Sequence, residues 1–140
     1  MKAPLYSEIL RLCEAIAKAS ATDDEKAQLV AHQGLQKLCQ SNQGSAKDHP
    51  LQWEALADFT HDGDQALDIY QLALNSAEQL NLPESKASIY LAMAQRYAEF
   101  EEPEKALSSA QQADELTPLL KSDELKTEIK QFLDTLSSSL

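Results

Sequence analysis

The amino-acid sequence predicts an all-α protein. Four observations carry the prediction. Alanine and leucine supply 42 of the 140 residues. The β-branched residues Val, Ile and Thr supply only 11, too few strand-formers for a sheet protein. Only three glycines are present to turn hairpins, and apolar residues recur at helical spacing along most of the chain.

Seven helices follow in order. The first runs from about Pro4 to Ser20, with Leu5, Ile9, Leu12, Cys13 and Ile16 as its apolar stripe. Thr22-Asp23-Asp24-Glu25 reads as a capping box opening the second, since a hydroxyl and a carboxylate three residues apart can satisfy each other's backbone donors. That helix carries Leu29, Val30, Leu35 and Leu38 as its stripe. Ser41 to His49 is a polar, loop-like stretch. Pro50 suits the first turn of helix three, where its missing N–H costs nothing, and the helix is expected to reach about His61. Asp62-Gly63-Asp64 turns the chain into helix four, with Asp62 or Asp64 as its cap, ending near Asn81. Pro83 and Pro103 start helices five and six, and Pro118 stops the sixth. The last helix, residues 122–137, carries Leu125, Ile129, Phe132, Leu133 and Leu136.

The net charge of −11 is unevenly distributed. Residues 1–47 balance to +1, whereas residues 48–104 hold two basic and twelve acidic side chains. Such a field repels nucleic acid and anionic lipid, whose binding requires clustered Lys and Arg. It favours basic partners. Neither a signal-peptide core nor an apolar run of membrane-spanning length is present, so the expected location is cytoplasmic. Cys13 and Cys39 would lie roughly 13 Å apart along antiparallel helices. That is beyond the roughly 7 Å a disulfide tolerates, and free thiols are expected.

An internal repeat runs through the even-numbered helices. Ala27, Ala66 and Ala106 lie 39 and 40 residues apart, each near a helix start. From each, residues recur four and seven places on: Ala31 and Gly34, Tyr70 and Ala73, Ala110 and Ala113. These offsets share one helical face. In the preceding helices, Trp53, Leu56, Ala57 and Thr60 match Tyr90, Met93, Ala94 and Tyr97 at the same spacings.

On these residues the chain resembles the tetratricopeptide repeat family. The segment 87–120 carries Tyr90, Met93, Ala94, Tyr97, Ala106, Ala110, Ala113 and Pro118 in the family's places. The segment 51–80 matches through Trp53, Leu56, Ala57, Gly63, Ala66, Tyr70 and Ala73, with a shorter turn and no closing proline. Residues 5–39 match through Ala15, Ala27, Ala31 and Gly34. The spacing exceeds the family's usual period of about 34 and looks like its longer-helix variants. The resemblance implies an antiparallel helix-pair solenoid in one domain, residues 1–140. Helix pairs would cover about 4–41, 50–81 and 83–117, and helix 122–137 would be the cap that solenoid ends need.

The resemblance also implies a non-enzymatic module that binds a protein or peptide in a groove lined by the first helix of each pair. The outward face of helix three offers Glu54, Asp58 and Asp62 at steps of four, a docking strip for Lys or Arg, or simply the solvated side of an amphipathic helix. Helix five offers Leu91, Gln95 and Glu99, with Leu91 as the apolar anchor. A family subtype that grips acidic chaperone tails uses Lys, Arg and Asn where this chain has Glu54, Asp58 and Gln95, so a basic or mixed partner is expected. Two alternatives stay open: a secretion-type or assembly chaperone for an apolar segment, and a structural subunit self-associating through its first or last helix. Catalysis comes last, because no nucleophile–base pair or metal-spaced histidines can be assembled. No cofactor is expected. His61 with Asp62 and Asp64 is read as a solvated, helix-capping turn rather than a metal site.

Overall fold

The computed structural model describes residues 3–139. They form seven α-helices and no strand: α1 (Tyr6–Ala21), α2 (Glu25–Asn42), α3 (Pro50–Asp58), α4 (Gly63–Gln79), α5 (Pro83–Glu99), α6 (Pro103–Glu115) and α7 (Asp123–Ser139). A short 3₁₀ turn, Thr117–Leu119, contains Pro118. The chain divides into two compact units, residues 1–76 and 77–140.

In the first unit α1, α2 and α3 pack on one another. α1 buries Ile9, Leu12, Ile16 and Ala19, as its stripe predicts. α2 departs from expectation. It buries Ala31, Leu35 and Cys39, spaced by four, and leaves Leu29 and Val30 57% and 61% exposed. Leu35 of the expected stripe is fully buried, but its neighbours on the inward face are the small Ala31 and Cys39 rather than Leu29 and Val30, which allows close approach. A methyl added at Gly34 would sit 3.0 Å from the Leu12 side chain. The opening of α2 also differs. Its cap is Asp24, whose carboxylate accepts the Ala27 N–H at 3.0 Å, while the Thr22 hydroxyl donates back to the Lys18 carbonyl of α1.

One turn geometry explains that difference, and it occurs three times. Asp23, Asn81 and Glu101 adopt positive φ of 54°, 54° and 58° after α1, α4 and α5. In each case the next residue's N–H reaches back to a helix carbonyl: Asp24 to Ala19, Leu82 to Ala77, Glu102 to Tyr97, at 2.8–3.0 Å. This is the Schellman closure, and the following helix begins one residue later. Glycine usually occupies the left-handed position because it lacks a Cβ; here Asp, Asn and Glu do.

The polar stretch before α3 is organised by one carboxylate. Asp48 accepts the Trp53 indole N–H at 2.7 Å and the Gln52 side-chain amide at 2.9 Å through Oδ1. Its Oδ2 accepts the Gly44 N–H at 2.8 Å. His49 caps the helix, its Nδ1 accepting the Leu51 N–H, and Pro50 takes the first turn. α3 stops at Asp58 rather than His61. Thr60 turns its hydroxyl onto the Leu56 carbonyl at 2.7 Å, and Asp62 opens α4 by accepting the Gln65 N–H at 3.0 Å.

In the second unit α6 packs against α5 and α7. Ala106, Ala110 and Ala113 are fully buried, so in α6 the repeated small positions are contact points between helices, whereas the corresponding Ala27 at the start of α2 is exposed. One core cluster joins Ala87, Leu91, Ala113, Leu120 and Ile129; a second joins Ala94, Ala106, Ala110 and Leu136. Glu84 of α5 accepts the Lys121 and Ser122 N–H groups at 2.5 and 3.2 Å, tying the start of α7 to the start of α5.

Two outcomes are expected. Glu101→Gly relieves the left-handed strain and raises stability by about 1 kcal/mol, read as a shifted urea midpoint in circular dichroism; an unchanged midpoint would show that Glu101 has compensating contacts. Asp48→Ala leaves buried donors unpaired and costs about 2–4 kcal/mol. The fluorescence of Trp53, the chain's sole tryptophan, reports it, and a loss below about 1 kcal/mol would reduce Asp48 to a surface contact.

Candidate binding surfaces

The residues expected to form the acidic strip are placed by two different helices. Glu54 is half-buried and Asp58 exposed on α3. Asp62 is exposed too, but it lies beyond the end of α3 and caps α4, so the three do not continue one helical face. Asp58 also holds the fold, because its carboxylate accepts the phenolic O–H of Tyr70 on α4, a residue only 2% exposed. Acidic character nonetheless persists past the strip. Asp64 and Asp68 are exposed on α4, and between Lys47 and Lys86 the chain has no Lys or Arg.

In the second unit Gln95 and Glu99 are exposed on α5 as expected. Leu91 is not. It is 4% exposed and belongs to the core cluster with Ala113 and Ile129. The expectation that it stands outward as an anchor is therefore corrected, because α6 and α7 supply the apolar cover that a lone helical-wheel reading of α5 lacks.

Two concavities lie within the first unit, and neither was legible as a run of residues. The first is a cleft of about 320 Å³ between α2 and the α3–α4 turn. Ile16, Leu29 and Phe59 give it apolar walls, and Glu25 and Asp62 bring carboxylates. His32 and His61 also line it. The His32 Nε2 is buried with no hydrogen-bond partner. The second is a shallow groove of about 580 Å³ on α1 and α2, lined by Leu12, Ala15, Val30 and Gly34 among others.

The thiols are free and poorly suited to nucleophilic chemistry. Burial, reinforced by the Asp48 carboxylate and by Cys13, pushes the Cys39 thiol from its ordinary 9.0 up to about 12. Its S–H donates to the Gln52 carbonyl at 3.2 Å. Burial and then Asp58 raise the Cys13 thiol as well. Burial lowers His49 against the opposing pull of Asp48, which keeps its Nδ1 lone pair available for the α3 cap. Among the described residues, no three His, Cys, Asp or Glu side chains converge as metal ligands, and no helix is long and apolar enough to cross a membrane.

No family model, curated protein or solved structure matches this chain. The all-α architecture is shown by the structure itself.

The Cys39 shift has a definite sign. The folded thiol keeps its proton where the unfolded chain has lost it. Its contribution is therefore complete below about pH 9 and lost between about 9 and 12, at up to about 1.4 kcal/mol per pH unit. Wild type is expected to lose more stability than Cys39→Ala between about pH 8.5 and 10.5 in denaturant titrations. Parallel pH profiles would show that the thiol titrates alike in both states.

Proposed function

We propose that the chain is a non-enzymatic protein-binding module of tetratricopeptide type, and that the acidic surface of its first unit receives a basic or mixed segment of a partner protein. The single observation that carries this reading is the sequence from 48 to 85, without one Lys or Arg, which presents Asp58, Asp62, Asp64 and Asp68 at the surface. A run of exposed carboxylates in a stretch that brings no Lys or Arg of its own raises the encounter rate of a cationic segment and makes its affinity fall with salt. Helices already formed lose little entropy on binding. The resemblance of the three helix pairs to tetratricopeptide repeats adds that such modules hold extended peptides. Gln95 and Glu99 are candidate contributors on the second unit's own surface; a cytoplasmic setting accords with two free thiols.

A second reading rests on Val30 and Leu29. Two large apolar side chains are exposed on α2, Val30 lining the shallow groove on α1 and α2 and Leu29 next to it in sequence, and would suit a chaperone that covers an apolar segment.

Charge reversal is a poor test, because Asp58 and Asp62 also hold the fold. Neutral isosteres are better: Asn still accepts from Tyr70 and still caps α4. Glu54→Gln/Asp58→Asn/Asp62→Asn is expected to keep the wild-type circular dichroism and to weaken a captured basic partner about tenfold, with wild type releasing it at moderate salt. Partners that stay on both proteins at high salt would defeat the acidic-surface reading and favour the apolar groove.

A further inference from the structure

We infer that the cleft between α2 and the α3–α4 turn is a pocket for one arginine side chain of that basic segment; the inference rests on the acidic-surface reading and deepens it. Its charge is one-sided. Glu25 comes from the first turn of α2 and Asp62 from the cap of α4, and neither Lys nor Arg lines the space. An anion is therefore excluded by repulsion. A metal ion is excluded by geometry, since no third ligand converges among the described residues.

The walls narrow the choice further. Phe59 and Leu29 present apolar surface above the buried Ile16, so the occupant carries an apolar stem as well as a positive head. A volume of about 320 Å³ sits at the small end of ligand sites and suits a single side chain. Arginine matches each wall: its methylenes lie on Leu29, its plane stacks on Phe59, and its fork donates to carboxylates in two directions. Lysine offers a strongly hydrated point charge with no plane to stack.

His32, which lines the same space, supplies the remaining contact once its ring turns to bring the solvent-shielded Nε2 to the cleft. Its Nε2 is buried without a partner, an arrangement that costs free energy in the unliganded protein. In the neutral tautomer with the proton on Nδ1, Nε2 accepts a hydrogen bond, and a guanidinium with five donors can provide it. Asp62 can serve both purposes, because its Oδ1 accepts from Gln65 while a carboxylate has further acceptor capacity.

The test is a titration of the ¹⁵N-labelled chain with N-acetyl-arginine amide, N-acetyl-lysine amide and N-acetyl-norleucine amide, followed by nuclear magnetic resonance. Arginine amide is expected to move the signals of His32, Phe59 and residues 60–65, and to bind more tightly than the other two. Glu25→Gln/Asp62→Asn weakens it about fivefold. His32→Leu weakens it about threefold while leaving the melting temperature equal or higher, because an unpaired buried nitrogen disappears. Equal shifts from norleucine amide would overturn the pocket, as would arginine binding unaffected by the double substitution. Salt-sensitive shifts confined to Glu54, Asp58 and Asp68 would overturn the pocket while leaving the acidic-surface reading standing. Absence of arginine-induced shifts anywhere on the chain would overturn both.

Discussion

Asp48 is the constraint on which the first unit turns. A short loop must deliver a nine-residue helix, α3, in one rotational phase, and nine residues are too few to hold a phase by themselves. The carboxylate does so by taking three donors at once: the Gly44 N–H behind it, and the Gln52 and Trp53 side chains ahead. With that phase set, Trp53, Leu56 and Ala57 turn inward and the Cys39 thiol meets the Gln52 carbonyl. Asp58 is left at the surface, where it reaches Tyr70. Burying Trp53 without Asp48 would strand its indole N–H without an acceptor, so hydrogen bonding and packing at this point are one problem with one solution.

The connections are equally economical. Three helices are closed by a left-handed residue with the next helix starting two residues beyond it, so the closing geometry of one helix sets the start of its successor. Small residues complete the arrangement. Gly34 beside Leu12 in the first unit, and Ala106, Ala110 and Ala113 in the second, let helix backbones approach. Larger side chains there would force the helices apart.

Acidic residues in this protein hold structure and shape the surface at the same time. Asp58 anchors Tyr70, Asp62 caps α4, Asp24 caps α2 and Glu84 binds the start of α7. A surface field can thus be built from the groups that define the helix ends. Function and stability then have to be separated with isosteres, not charge reversals.

What the sequence determined by itself is local. Alanine and leucine content, prolines at Pro50, Pro83 and Pro103, and the recurrence of Ala27, Ala66 and Ala106 specified all seven helices, because helix formation and termination depend on neighbours a few residues away. The small repeated face was legible for the same reason. Only the tertiary structure decided which arcs of those helices are covered. Leu91 belongs to the core because α6 and α7 lie over it, and Val30 stands exposed because Ala31, Leu35 and Cys39 face inward instead. The left-handed turns escaped the sequence because Asp, Asn and Glu occupy positions where glycine would have announced them. The cleft escaped it because Ile16, Glu25, His32, Phe59 and Asp62 come from four helices and their turns, and no spacing rule along one chain segment brings them together.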